Sequence, residues 1–318
     1  MCDVVIIGAA IADILRRPGD ETVFSKGSCA VDSIRMSLGG DALNESTVLA
    51  RLGHAPLLAT KLGEDGVADF ILAHCTREGI QVHAARDAQM DTGINAVLVS
   101  PDGERSFVTN KNGSLRRLAL TDVLPMFDTK AFLQAKVVCL ASMFVSPQLD
   151  IPGMESLFAR AKAAGKLLCA DATKRKRGET LSDIAGAICH LDYFFPNLEE
   201  ARLLTGLENP DAIADAFLNA GVGCVALKLG GKGWLVKNCA ERFAVPAYRH
   251  ADCIDTTGAG DTFAASFIAG LLEGKALAEC AAQANAAASI CVESLGATTA
   301  KLDREEICRR TQNILSCM

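Results

Sequence analysis

The run Asp255-Thr256-Thr257-Gly258-Ala259-Gly260-Asp261-Thr262-Phe263 holds the residues best suited to chemistry in this 318-residue chain. A small, glycine-rich turn stands directly before an apolar stretch, Thr262 to Leu272, that reads as a helix. Such a turn leaves several backbone N–H groups without partners and aims them at one spot, with the positive end of the helix dipole behind them. That makes an anion site, and phosphate is the usual anion. Asp261 then puts a carboxylate beside the anion. General-base chemistry on a hydroxyl attacking a phosphoryl group would explain it. A helix-capping role would explain it too, and this segment alone leaves both open.

Four further constellations could serve such a site. In Ser37-Leu38-Gly39-Gly40-Asp41-Ala42-Leu43-Asn44, paired glycines let backbone approach a ligand closely, and Asn44 can offer a donor and an acceptor to hydroxyls. A tight strand-to-helix turn with Asn44 as a local cap fits equally. Asp13 follows the first apolar run, where ligands bind in open parallel sheets, and could grip two sugar hydroxyls or be a plain loop carboxylate. Asn197 and Glu200, in Pro196-Asn197-Leu198-Glu199-Glu200, share a helix face. A carboxylate beside an amide suits a Mg–nucleotide site, and it also suits a capping box. Lys228-Leu229-Gly230-Gly231-Lys232-Gly233 could lie along a nucleotide or form a hairpin leading to Trp234.

The elements that must position these residues alternate. Asp3–Ala9, Leu57–Lys61, Val137–Ala141, Leu167–Asp171, Tyr193–Pro196 and Cys224–Leu229 read as core strands. Ala42–Leu52, Gly66–Glu78, Gly153–Ala164, Leu198–Thr205 and Asp211–Ala220 read as helices between them. Near-continuous apolar strands separated by amphipathic helices imply a parallel sheet covered on both faces. Two regions, 22–38 and 93–110, are strand-like without intervening helices. The second holds a hairpin signal, Ser100-Pro101-Asp102-Gly103-Glu104, between Ile94–Val99 and Arg105–Thr109. They predict a small sheet standing off the main one, either a lid over the site or an edge extension. The last 60 or so residues are helical and alanine-rich, which fits close helix packing.

With 50% hydrophobic residues the chain can bury a large core. The net charge of −6 gives a nucleic-acid partner no electrostatic support. No apolar run reaches the roughly 20 residues of a membrane span. Met1-Cys2-Asp3-Val4-Val5 lacks a basic leader and reads as a first strand. The 13 cysteines form no C-x-x-C pair and look like reduced core thiols, so a cytoplasmic protein is expected. The five histidines show no zinc spacing. A P-loop, a G-x-G-x-x-G turn after the first strand and a G-x-S-x-G elbow are all missing from the sequence.

Together the residues resemble a known family. Gly39-Gly40-Asp41-Ala42-Leu43-Asn44 with Arg51-Leu52-Gly53, and Asp255 through Phe263, are similar to the two signatures of the PfkB, or ribokinase-like, carbohydrate kinases. Asn197-Leu198-Glu199-Glu200-Ala201 with Leu204-Thr205-Gly206 resembles that family's third recurrent segment. The matches come in the expected order and span nearly the whole chain, which looks closest to uncharacterised bacterial sugar kinases of the family. The resemblance implies one ribokinase-like domain over residues 1–318. That fold is a three-layer α/β/α arrangement with a mostly parallel central sheet and a β-sheet lid, through which a homodimer is expected.

It also implies roles. Asp261 would be the base, and the N–H groups of Gly258, Ala259 and Gly260 the anion hole. Asp13, Gly39, Gly40 and Asn44 would bind the sugar. Asn197 and Glu200 would organise Mg²⁺ and the phosphates of ATP. Lys228, Gly230, Gly231, Gly233 and Asn285 would line the nucleotide. Asp255, Thr257, Cys291, Ser294 and Gly296 match the family's monovalent-cation positions, which suggests K⁺, although Ala300 stands where a Ser is common.

The substrate is less constrained. True ribokinases tend to carry Asn two residues before the first Asp and Lys after the paired glycines, whereas this chain has Ile11 and Asp41. Ribose is therefore not favoured. A sugar acid whose carboxylate meets Arg105, Lys111 or Arg175 is the sharper expectation; a solvated basic loop is the plainer one. A nucleoside stacking on Phe24, Phe107 or Phe144 is the runner-up. A non-catalytic sugar or nucleotide sensor and a dinucleotide oxidoreductase are more distant.

Overall fold

A computed structural model describes residues 2–17, 28, 30–99 and 105–318, with the side chains of Val99 and Arg105 left aside. The expected turn at 100–104, Phe24, and most of the first part of the 22–38 region lie outside the described residues. In chain order the strands are β1 Val4–Ile7, β2 Ile11–Arg17, β3 Ser33–Gly39, β4 Pro56–Gly63, β5 Gln81–Asp87, β6 Ile94–Val99, β7 Arg105–Thr109, β8 Val137–Met143, β9 Leu167–Ala172, β10 Tyr193–Phe194, β11 Cys224–Lys228, β12 Trp234–Asn238 and β13 Arg242–Val245. The helices of eight or more residues are α1 Asp41–Arg51, α2 Gly66–Glu78, α3 Ile151–Ala163, α4 Leu181–Ile188, α5 Leu198–Thr205, α6 Pro210–Asn219, α7 Ala259–Leu272, α8 Leu277–Cys291 and α9 Arg304–Leu315.

Nine strands form the main sheet, in the order β13-β12-β11-β10-β9-β8-β1-β4-β5. From β11 to β5 every pairing is parallel; β12 and β13 join antiparallel at one edge. Every residue of β1 and of β8 is buried, as the unbroken apolar runs require for strands covered on both faces. The two faces feed different cores. Val4 and Ile6 pack with α1, α2, α7, α8 and α9, while Val5 and Ile7 pack with α3 to α6. The strand period of two sends alternate side chains to opposite faces, which gives helix–sheet–helix layers. The chain steps from β1 to β4 on one side and to β8 on the other. The carboxyl end of β1 therefore lies at a switch point, where such sheets bind ligands.

The second sheet has four strands, β3-β2-β6-β7. Its members pair antiparallel except β2 with β6. The strand-like reading of residues 94–99 and 105–109 holds with the same bounds. Asp13, placed after the first strand by sequence, lies within a second strand, β2. Cross-strand partners Met36, Ile14, Ala96 and Val108 make one row of exposed side chains across this sheet. Ser37, Asp13, Asn95 and Thr109 form a neighbouring row on the opposite face.

Candidate active site

Helix α7 follows Gly258, the residue at its N-cap, whose φ of 76° is left-handed. A Cβ there would lie 2.5 Å from the Ala297 Cβ, so both backbone and space demand glycine. Among the described residues no side chain caps this helix, and of its first N–H groups that of Ala259 donates to the Thr256 carbonyl at 3.2 Å. Asp261, three residues on, does not cap it either. Its carboxylate instead accepts a 2.7 Å hydrogen bond from Asn44 Nδ2, across to the first turns of α1. Burial raises the Asp261 carboxyl above its ordinary value, against the pull of that hydrogen bond and of the Lys228 charge. Asn44 Oδ1 is buried without a partner among the described residues.

The paired glycines that open α1 have internal reasons as well. A Cβ on Gly39 would lie 2.3 Å from Asp13 Oδ2, and one on Gly40 would lie 2.5 Å from the Ala9 carbonyl oxygen. Gly39 therefore makes room for Asp13, the residue singled out for sugar binding. Asn95 Nδ2 holds the same carboxylate through Oδ1 at 2.9 Å. Asp13, Gly39, Gly40, Asn44 and Asp261 are thus linked in one continuous set of contacts.

Lys228 ends β11, and its amine pairs with Asp171 near the end of β9. A Cβ on Gly260 would come within 3.3 Å of Lys228 Nζ, so the amine also lies against the start of α7. Lys228 thus lies between Asp171 and the start of α7. Burial pushes the Asp171 carboxyl up to about 7 despite Lys228. Burial alone would depress Lys228, but the carboxylates of Asp171, Glu200 and Asp261 outweigh it and hold the amine charged.

The sequence gives no site role to Asp41 or Glu45, and it offers Phe144 only as a stacking surface for a nucleoside. Asp41 hydrogen bonds with Ser142, and its carboxyl is pushed well up by burial and then by Asp261 and Asp171. Glu45, one turn along α1, is buried, with Oε1 unpartnered among the described residues and Oε2 taking a 3.4 Å contact from Cys139 Sγ. Phe144, just past β8, has a left-handed φ of 71°, strained backbone of the kind worth about 1–3 kcal/mol. Asp171 ends an apolar run that could have flagged it; the left-handed backbone at Phe144 has no mark in the sequence.

Asn197 and Glu200 form the capping box that sequence allowed. Asn197 Oδ1 accepts from the Glu200 N–H at 2.9 Å, and Glu200 Oε2 accepts from the Asn197 N–H at 3.0 Å. A parallel bridge between Asn197 and Lys228 brings this box beside the end of β11, whose Lys228 pairs with Asp171. Gly230 lies in a short turn before β12, so the hairpin forms; at Gly230 and Gly231 a Cβ would meet nothing. Gly233 is fixed by packing, since a Cβ would strike the Val245 carbonyl. Asn285 Nδ2 donates to the Pro246 carbonyl at 2.5 Å, tying α8 to the segment after β13.

Asp255 pins two loops. Oδ1 accepts from the Thr257 N–H and hydroxyl, and Oδ2 accepts from the Gly296 N–H at 2.7 Å. Cys291 Sγ, its thiol pushed up to about 11 by burial, donates to the carbonyls of Thr257 and Ala297. Ser294 follows on this turn, its N–H donating to the Cys291 carbonyl at 3.2 Å. Among the described residues no cluster of three His, Cys, Asp or Glu could hold a metal ion. A cation here would rest on carbonyl oxygens, and Asp255 already frames them.

Arg175 closes its own loop, donating to the carbonyls of Gly178 and Glu179. Lys111 is exposed and lines an open groove of about 430 Å³ with Thr109, Asn112, Arg116, Arg117, Pro147 and Gln148. No helix among the described residues is long and apolar enough to cross a membrane.

The description of the pfkB family carbohydrate kinases matches residues 1–304. The chain is 27% identical over 289 residues to a 2-dehydro-3-deoxygluconokinase of Bacillus subtilis (strain 168), covering 87% of each. It is 31% identical over 270 residues to a ribokinase of Staphylococcus aureus (strain COL), covering 81% of this chain and 83% of that one. The ribokinase of Arabidopsis thaliana, solved with ribose and ATP, superposes with a TM-score of 0.79 at 25% identity, over 98% of this chain and 99% of that one. A whole-length match, sugar-kinase relatives and the same layered fold agree with the geometry at the α7 N-terminus, and the chain belongs to the pfkB family of carbohydrate kinases.

Proposed function

We propose that this chain transfers the γ-phosphoryl group of ATP to a hydroxyl of a sugar or sugar acid, with Asp261 as general base. The observation that carries this is the Asp261 carboxylate. It stands at the start of an uncapped helix, does not cap it, and is held by Asn44 with its pKa raised. Asp13, Gly39, Gly40 and Asn44 bind the sugar and orient one hydroxyl toward Asp261, which takes its proton as the oxygen attacks. The N–H groups of Gly258, Ala259 and Gly260, with Lys228 close by, stabilise charge on the transferring group; one such donor is typically worth about 2.7–4 kcal/mol. Mg²⁺ supplies charge neutralisation on the phosphates when bound, and Asn197, Glu200 and Asp171 are the residues suited to organise it. Gly230, Gly231 and Asn285 border the nucleotide. Asp255, Thr257, Cys291, Ser294 and Gly296 are the residues that would hold K⁺, whose charge would support the anion hole. The small sheet closes over the sugar as a lid and excludes water.

The test is ADP release with Mg-ATP and K⁺ against ketoses, aldoses, sugar acids and nucleosides. A response to one class supports the reading and selects the substrate. Silence across the panel with ATP still bound would count against it and favour a sensor. Phe107, exposed and two residues along β7 from Thr109, keeps a nucleoside as the second reading.

The exposed Lys111 favours an anionic substrate, with Arg116 and Arg117 beside it in the groove. Lys111→Ala is expected to raise KM for a sugar acid severalfold and leave KM for a neutral sugar unchanged. Equal effects on both would remove the sugar-acid assignment.

The apolar row of the lid, Met36, Ile14 and Val108, with Ile34 on the same face, stands exposed on the isolated chain. We propose that a second copy covers it, giving a homodimer. Light scattering should report twice the chain mass, and Val108→Asp should shift it to the monomer. A wild-type monomer at micromolar concentration would sink the proposal.

A further inference from the structure

Four polar residues cross the small sheet in register: Ser37 faces Asp13, Asp13 faces Asn95, and Asn95 faces Thr109. Direct cross-strand partners point to the same side of a sheet, so these side chains can touch. Two of the contacts are well-formed hydrogen bonds. Thr109 Oγ1 donates to Asn95 Oδ1 at 2.8 Å, and Asn95 Nδ2 donates to Asp13 Oδ1 at 2.9 Å. Chemistry fixes the direction of both. An ionised carboxylate only accepts, so the amide must turn its NH₂ to Asp13. Its carbonyl then faces Thr109, whose hydroxyl must donate. Asn95 is buried, so neither end of its amide can turn to bulk water at no cost. On its far side the Asp13 carboxylate presses against Gly39, where even a methyl group would not fit.

We propose that Asn95 and Thr109 are positioning residues that aim the Asp13 carboxylate at the substrate's hydroxyls. The relay runs from the edge strand β7, through β6, to β2. Thr109 also lines the groove that holds Lys111, Arg116 and Arg117. A substrate group seated in that groove therefore meets the strand that orients Asp13, and the lid edge is coupled to the sugar grip. This rests on the reading of Asp13 as a sugar ligand.

The test uses the full-length protein with Mg-ATP and D-ribose, 2-deoxy-D-ribose, D-fructose and 2-dehydro-3-deoxygluconate, taking the one turned over with the highest kcat/KM. Thr109→Val keeps the shape but removes the donor. It should raise the sugar KM roughly tenfold, the usual scale for an orphaned buried acceptor, with kcat and the KM for ATP within about twofold. Thr109→Ser restores the hydroxyl and should restore KM. Asn95→Ala should raise KM at least as much, and Asn95→Ala/Thr109→Val no further, because both act on one relay.

Asp13→Ala is the control for the underlying reading. If it leaves the sugar KM unchanged, Asp13 is not a sugar ligand and that reading fails. If it raises KM while Thr109→Val and Asn95→Ala do not, the relay alone is overturned. Additive effects in the double variant, or equal rises in both KM values without rescue by Ser, would also overturn it. If none of the four is turned over, the same variants are measured on the substrate that the wider panel of ketoses, aldoses, sugar acids and nucleosides selects, and a wild type silent across that panel would overturn this inference.

Discussion

Asp261→Asn is expected to abolish measurable turnover while ATP binding persists. A positioned base is typically worth about 10²–10⁴-fold, and the amide cannot take the hydroxyl proton. The change is nearly isosteric, and Asp261 is held by a single hydrogen bond from Asn44, so the site should keep its shape. Wild-type activity should also carry the mark of this group. The base works only when ionised, and burial raises its pKa. Activity should therefore rise with pH through an inflection above the usual carboxylate range. Kinetics of both proteins from pH 4 to 9 check this. A variant near wild-type kcat, or an inflection at ordinary aspartate values, would remove Asp261 from the role.

Lys228→Met should produce the largest loss of stability. The amine is the counterion for Asp171 and lies near the Glu200 and Asp261 carboxylates. The pair is well covered, with side-chain exposures of 14% and 5%. Removing one partner of a buried pair costs about 3–5 kcal/mol, on the order of a 10 °C fall in Tm for a chain of this size. The sign of the pH dependence follows from Asp171. Its folded pKa, already about 7, should climb further without Lys228. A raised carboxyl favours the folded state at low pH and stops doing so as pH rises through the folded value. The deficit should therefore be larger at pH 8 than at pH 5. Asp171→Asn/Lys228→Met removes both members of the pair, so Asp171 is no longer left without its counterion, and should recover much of the Tm without recovering activity. A single variant that melts like the wild type at pH 8 would show that the pair carries no such burden.

How much of this was legible in the sequence depended on how local each signal was. The buried strands were, because seven consecutive buried positions such as Val137–Met143 can hardly read as anything else. Gly66–Glu78 and Leu198–Thr205 were legible to the residue, since Asp65 and Asn197 cap their first turns and glycines close them. Gln81–Asp87 was missed: it is a partly exposed edge strand with polar side chains, so no apolar run marks it. Arg242–Val245 is too short to show a period. Asp13 read as a loop residue because β1 and β2 are separated by only three residues, Gly8 to Ala10. At the site, Asp261 and Gly258 stood out because their signal is one turn long. Asp171 and Lys228 did not stand out as partners, because only the sheet order brings β9 and β11 to either side of β10. Asn95 and Thr109 were invisible for the same reason: their meaning lies in strand register, and an isolated Asn or Thr in a β-run says nothing of it.

The most direct measurement is the fate of labelled γ-phosphate from ATP, followed onto sugar by wild type and Asp261→Asn side by side. The expected result is a sugar phosphate formed by the wild type, none formed by the variant, and ATP bound by both. Label appearing on sugar at equal rates with both proteins would contradict the mechanism. ADP formed by the wild type with label only on water would contradict the assignment of a sugar hydroxyl as the acceptor.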